Sequence, residues 1–267
     1  MIRLIFSDMD GTLLDEHGNL PPQFGQMYAR LRAHGIRFAP ASGRQYASLV
    51  ETFAPWKDEM IFLAENGTLV MEGGRELFAA PVDPALGLRV MQTGEALTGV
   101  YSVYCGKKQG YIHRADDVPA FRAELEKYVS KSMVTEDFAA VDDVPIKMAF
   151  FDPSGHADTT ILPVMEQYAD RMQVTLSSAL WVDVYAQGVS KGVAAARVQE
   201  HLGLTPDECA AFGDYGNDLE LMDAVTYSFA MANAIPAVQE RARYRAPSNG
   251  EHGVMAVCER ILAGEFD

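Results

Sequence analysis

Residues 2–14 read IRLIFSDMDGTLL, an apolar, β-branched and aromatic run that breaks into two aspartates, a glycine and a threonine. Ile2 to Ser7 has the composition of a short buried strand, and the turn-forming residues behind it end that strand at Asp8. Acidic side chains at such an exit predict a site at the carboxyl end of a strand. The same grammar recurs along the chain. Apolar residues at helical spacing from Phe24 to His34 stop at Gly35, Ile36 to Ala41 reads as a second buried strand, and Ser42-Gly43-Arg44 stands at its exit. A helix over Gln45–Phe53, a strand over Met60–Ala64, and hairpin turns at Asn66-Gly67 and Gly73-Gly74 follow.

From Pro81 the rhythm changes. The pattern predicts a helix over Ala85–Leu97, strands at Tyr101–Cys105 and Gly110–His113, and a helix over Val118–Val129. A strand at Ile146–Phe151, a helix over Thr160–Ala169, and strands at Met172–Leu176 and Leu180–Tyr185 come next. Then Lys191 opens a helix to Leu202, a small apolar strand runs from Cys209 to Gly213, Leu219–Ala224 is helical, Tyr227–Met231 is a strand, and two helices close the chain. Segments 1–82 and 186–267 therefore read as one α/β, doubly wound parallel sheet, whose ligands gather at the carboxyl ends of its strands. Residues 83–185 read as an inserted α+β domain.

The chain has 267 residues, 48% hydrophobic and 22% charged, which is globular composition. Its formal charge of −15 repels nucleic-acid phosphates and anionic lipid, so neither is an expected partner. A small anionic substrate would need cations concentrated locally, which points to a metal ion. Cys105, Cys209 and Cys258 are odd in number and widely spaced, with no CxxC pattern, so neither a disulfide framework nor a zinc site is expected. No apolar run has the length of a membrane span, no cleavable signal pattern precedes Asp8, and a reducing cytoplasm is the expected compartment.

Four motifs supply a chemistry together. A carboxylate is ionised at neutral pH, so Asp8 can attack phosphorus without a partner base and become an aspartyl-phosphate. Repulsion between that carboxylate and a phosphate, about 4 kcal/mol at about 4 Å in an effective dielectric near 20, calls for a cation. Mg²⁺ favours few carboxylates and phosphate oxygens, with Asp8 and Asp214 its natural ligands. Lys191 adds a second positive charge, while Ser42, Gly43 and the neighbouring Arg44 face the phosphoryl oxygens. Two residues beyond Asp8, Asp10 can protonate the departing alkoxide and then deprotonate the hydrolytic water. Asn217 can donate to phosphate without charge, and Asp218 can hold metal-bound water or orient Lys191. Singly, each is an ordinary turn, loop or helix start; their order and placement give them weight together.

These residues resemble the haloacid dehalogenase superfamily, and within it the Cof-type, subfamily IIB branch of sugar-phosphate phosphatases. The resemblance rests on DMDGTLL at 8–14, SGR at 42–44, ENG at 65–67, GVSKG at 188–192, GDYGNDLELM at 213–222, AMANA at 230–234 and NGEHGV at 249–254. It implies a Rossmann-like core with a mobile cap between the Ser42 and Lys191 motifs. It also implies Asp8 as nucleophile, Asp10 as acid and base with its carbonyl on magnesium, and Asp214 as a further ligand. The Met9 amide, Ser42, Gly43, Lys191 and Asn217 would surround the phosphate.

The expected activity is hydrolysis of a small phosphomonoester, a sugar phosphate or a phosphorylated cofactor or its precursor. A sugar phosphomutase, or a non-catalytic protein that binds a phosphorylated ligand, remains the alternative. Specificity should come from the inserted segment. Tyr101, Tyr104, His113, Lys147 and Trp181 could touch substrate there, but no spacing selects among them, and oligomeric state is left open.

Overall fold

In the computed structural model, which describes residues 1–266, β1 (Leu4–Ser7) is buried at every position. It pairs in parallel with β2 (Arg37–Pro40), in register Leu4 to Arg37. Next come β3 (Ile61–Ala64), β4 (Leu69–Glu72) and β5 (Arg75–Ala79), which form an antiparallel sheet of their own. A single parallel bridge between Ala41 and Leu63 joins that sheet to the first.

The inserted segment supplies β6 (Tyr101–Gly106), β7 (Gly110–His113), β8 (Ser132–Thr135), β9 (Pro145–Phe151), β10 (Met172–Leu176) and β11 (Trp181–Ala186), in the order β10-β11-β9-β6-β7-β8. The chain then returns through β12 (Cys209–Gly213), β13 (Tyr227–Met231) and β14 (Tyr244–Ala246). The main sheet runs β14-β13-β12-β1-β2, all parallel, which is the α/β arrangement the sequence predicts. Its crossover helices include Phe24–Ala33 and Lys191–Leu202. No helix among the described residues is long and apolar enough to cross a membrane.

Alternation along the strands sorts the second sheet into two faces. Tyr104, Met148, Phe150, Val182 and Val184 pack on one face with Val90 and Met91 of the helix Pro84–Glu95. Val103, Cys105, Ala149, Phe151 and Trp181 occupy the opposite face with Phe121. A separate core around Phe6, Phe24, Phe53, Phe62, Phe212 and Phe229 fills the main sheet's two sides. All three cysteines are buried and unpaired.

The single parallel sheet read for segments 1–82 and 186–267 does not include β3, which stands in the antiparallel β3-β4-β5 sheet, and the structure departs from the sequence pattern in three further places. The helix expected over Val118–Val129 spans only Pro119–Leu125; beyond it the chain tightens, the Lys127 and Tyr128 amides bonding carbonyls three residues back, and the Tyr128 carbonyl accepts from the Gln45 amide and the Ser48 hydroxyl, each at 2.8 Å. The helix expected over Thr160–Ala169 is broken into Ala157–Thr160, Leu162–Met165 and a tight turn Glu166–Tyr168, with Pro163 unable to donate to the preceding turn. Strands β8 and β14 go unpredicted, since four or three residues on a sheet edge show no clear alternation. Truncating the fully buried Phe150 should cost about 3–5 kcal/mol; urea denaturation of Phe150→Ala measures this, and a loss below about 1 kcal/mol would deny that the helix-covered face is a packed core.

Candidate active site

Asp8 leaves β1 with its amide still bonded to the Phe212 carbonyl at 3.1 Å, so the last rung of the ladder fixes where the carboxylate starts. Residues Met9–Leu13 then make one wide turn, closed by the Leu14 amide on the Met9 carbonyl at 2.9 Å. Gly11 sits in that turn at φ 74°, and a Cβ there would lie 2.3 Å from an Asp214 oxygen. Glycine is required twice over, by backbone conformation and by the carboxylate above it. Thr12 donates to that carboxylate at 2.9 Å, tying the first motif to the last.

Lys191 is the first residue of its helix, whose preceding Ser190 hydroxyl accepts from the Val193 amide at 3.2 Å. Its ammonium is fully buried and donates to Asp8 at 2.6 Å and to Asp218 at 2.7 Å. Burial opposes its charge, but the Asp218 and Asp8 carboxylates outweigh that and hold its pKa above the ordinary lysine range. The second Asp218 oxygen accepts from the amides of Asp214 and Tyr215 at 2.9 and 3.2 Å.

Asp8, Asp214 and Asp218 present oxygens within 4.8 Å of one another. Burial, and then Asp218, push the Asp8 carboxyl well above the usual range despite Lys191. Burial and Asp218 likewise push Asp214 up to about 7, against the pull of Thr12. One lysine among three carboxylates leaves negative charge uncompensated in a desolvated place. The hard oxygen donors and their spacing fit a divalent cation.

The second motif lies beside them. The Ser42 hydroxyl accepts from the Arg44 amide at 3.1 Å, and Arg44 forks onto Asp10 through bonds of 2.8 and 2.6 Å. The Asp10 carboxylate is thus drawn away from the three clustered aspartates and is 41% exposed. The guanidinium also lies 5.5 Å from the Tyr128 ring centre. Met9 is buried. Asn217 donates at 3.0 Å to Asn66, while its own carbonyl oxygen is buried with no hydrogen-bond partner.

Among the contacts between the second sheet and this rim is a buried lysine. From the middle of β9, Lys147 donates to the Gly43 carbonyl at 2.8 Å and pairs with Glu65 at 2.7 Å and Asp183 at 3.5 Å. Asp183 accepts from Asn66 at 2.7 Å and Ser177 at 2.6 Å, completing a path through Asn66 to Asn217. Glu65 and Asn66 both hold left-handed backbone, at φ 52° and 58°. Burial pushes the Glu65 carboxyl up, and Lys147 only partly offsets it. Of the five inserted side chains named from sequence, Lys147 and Trp181 line the resulting cavity of about 170 Å³, whereas Tyr101, Tyr104 and His113 do not. Tyr128, Ser177, Ser178 and Asp183 line it too and were not anticipated. The available signal was a lysine inside the otherwise apolar stretch Pro145–Phe151.

A family model described as haloacid dehalogenase-like hydrolase matches residues 5–257. The chain belongs to that family. Among haloacid dehalogenase-like relatives it is similar to the 5-amino-6-(5-phospho-D-ribitylamino)uracil phosphatase YbjI of Escherichia coli, 31% identical over 99% of this chain and 97% of the relative. It is 28% identical to an HMP-PP phosphatase of Citrobacter koseri, over 88% of this chain and 86% of that one. Its fold superimposes on the crystal structure of SMU.1108c from Streptococcus mutans with a TM-score of 0.90, at 26% identity, over 98% and 100% of the two chains. In this hydrolase, replacing Lys147 by methionine strands two buried carboxylates and should destabilise the fold by about 3–5 kcal/mol. Lys147→Met combined with Glu65→Gln should regain part of that loss in thermal denaturation, and equal melting of the single and double variants would refute the pairing.

Proposed function

We propose that this chain is a Mg²⁺-dependent phosphatase that hydrolyses a small phosphomonoester through an aspartyl-phosphate on Asp8. The observation that carries the reading is the buried Lys191 shared by Asp8 and Asp218, with the charge of Asp214 left over beside them. The phosphatases among its relatives, one named for 5-amino-6-(5-phospho-D-ribitylamino)uracil and one for HMP-PP, support the class.

Lys191 holds one Asp8 oxygen and leaves the other for attack on phosphorus. When bound, magnesium supplies charge neutralisation and polarisation of the phosphoryl group; Asp8, Asp214 and the Asp10 carbonyl would hold it. Asp218 already bonds Lys191 and two amides, which favours an orienting role over ligation. Once Arg44 releases it, Asp10 takes a proton from solvent; as the Asp8 oxygen bonds to phosphorus, the bond to the leaving oxygen breaks and Asp10 passes that proton to it. Water then attacks phosphorus, Asp10 takes back a proton, and the Asp8 carboxylate is released with inorganic phosphate.

Asp10 cannot act while Arg44 grips both its oxygens. A phosphate dianion competes for the same fork, so substrate binding would transfer Arg44 to phosphate and free Asp10 for proton transfer. Ser42 and Gly43 stand beside that fork, and Lys147 fixes the Gly43 carbonyl. Asn217, braced by Asn66 through one N–H of its amide, would keep the other to donate to phosphate. The segment around β6 to β11 would act as the cap that excludes water and contacts the leaving group.

Phosphate release from a panel of phosphomonoesters tests this. Asp10→Asn should lower kcat by roughly 10²–10⁴, and Asp8→Asn should abolish turnover with the fold intact by circular dichroism. Undiminished release by Asp8→Asn would sink the covalent mechanism. Chelation should silence the enzyme and Mg²⁺ should restore it; activity that persists in excess chelator would rule out the metal's part.

A further inference from the structure

We infer that Asp183, a residue of the inserted sheet, is a positioning residue for the phosphate site: acting through Asn66, it decides which end of the Asn217 side chain points at that site. The inference rests on the phosphatase reading above and adds to it a residue outside the four motifs. Asp183 is 3% exposed and stands on β11, close to Ser177 in the turn that precedes that strand. As a carboxylate it can only accept, so an amide that meets it has no choice of orientation. Its Oδ2 accepts from the Ser177 hydroxyl at 2.6 Å and from Asn66 Nδ2 at 2.7 Å, and the same Asn66 nitrogen reaches the Ser177 Oγ at 3.3 Å. With its NH₂ turned to the inserted sheet, the fully buried Asn66 presents Oδ1 on its other side, where Asn217 Nδ2 donates to it at 3.0 Å.

The far end of this relay shows what the orientation costs. Asn217 lines the same cavity as Asp8, Asp10 and Ser42, and its Oδ1 is buried without a donor among the described residues. A buried acceptor in that state is unfavourable. Turning Asn217 alone would not relieve it, since its oxygen would then face the Asn66 oxygen. Turning both amides together would give that oxygen the Asn66 N–H, but it would set the Asn66 oxygen against the Asp183 carboxylate. Asp183 therefore stands against the concerted turn and keeps the second N–H of Asn217 for phosphate. Asn66 is held at its backbone as well, its amide bonding the Ser42 carbonyl at 2.9 Å, so the relay also touches the second motif. Lifting the inserted sheet away would remove the member of fixed polarity, and the two amides could then point either way.

The test is a double-variant cycle on kcat/KM for p-nitrophenyl phosphate with Mg²⁺ in the intact chain. Asp183→Asn keeps the shape but can donate as well as accept, so it should lower kcat/KM by about tenfold with the fold intact by circular dichroism. Asn217→Ala removes the group being positioned, and on that background Asp183→Asn should cost less than about twofold more. Asn66→Gly suits the left-handed backbone at φ 58° and breaks the relay in its middle. It should show the same loss and the same dependence on Asn217, so the cycle can be read even if Asp183→Asn does not fold. Losses that multiply in the double variants, as a merely structural role would give, or no loss from either single variant, overturn the inference and leave the phosphatase standing. Calorimetric binding of inorganic phosphate with Mg²⁺ through the same cycle needs no turnover. A wild type that binds phosphate yet releases none from any phosphomonoester overturns the phosphatase reading, and the binding cycle then decides the inference; one that neither binds nor releases phosphate overturns both.

Discussion

A single buried ammonium holds the site together. Lys191 has no exposure to solvent, and its partners Asp8 and Asp218 come from opposite ends of the chain. Burying a lysine is tolerable only where carboxylates replace its water, and burying carboxylates this close is tolerable only where a cation separates them. The arrangement therefore requires the first and third strands of the parallel sheet to lie side by side, which β1 and β12 do in register Leu4 to Cys209. Chain topology and site electrostatics are one constraint seen at two scales. The charge that remains after Lys191 is satisfied is what gives the site an appetite for a second cation.

A second lysine does for the inserted sheet what Lys191 does for the rim. Lys147 reaches out of an antiparallel strand to a carbonyl of the phosphate-facing loop and to Glu65, which belongs to the main body. Because Asp183 and Asn66 continue the path to Asn217, the inserted sheet is mechanically joined to the loops that carry Gly43 and Asn217. Interactions of this kind favour one relative placement of the two bodies over others, since any shift exposes an unpaired charge to apolar surroundings. The left-handed backbone at Glu65 and Asn66 is held in place by the same contacts.

The parts of this molecule legible in its sequence are those governed by local rules. Ile2–Ser7, Lys191–Leu202 and Tyr227–Met231 announce themselves by period and by the residues that stop them, and the structure places strands or helices there. Asp8, Lys191 and Asp214 stand at such boundaries, so their convergence could be read before any coordinates. What could not be read depends on distant partners. Arg44 grips Asp10 because two loops meet, the Tyr128 carbonyl beyond its helix is held by Gln45 and Ser48, and Lys147 finds Glu65 across a sheet boundary. The lysine inside an apolar strand and the ENG triplet were visible, but the sequence offers no rule that pairs them.

The global field and the local one then have opposite tasks. At −15 the surface discourages anions in general, nucleic acid included. Inside the cleft, Arg44, Lys147 and Lys191 gather positive charge within reach of one cavity, yet each already has a carboxylate partner. A phosphate can enter only by exchange, displacing a partner as it binds, and Arg44 is the most exchangeable of the three because its Asp10 remains partly in water. On the mechanism proposed above, the same exchange that admits the substrate would release Asp10, the group assigned to protonate its leaving oxygen. That proposal would couple binding to activation through one ion pair, and an anion without a phosphoryl group of the right shape would have little means of breaking it.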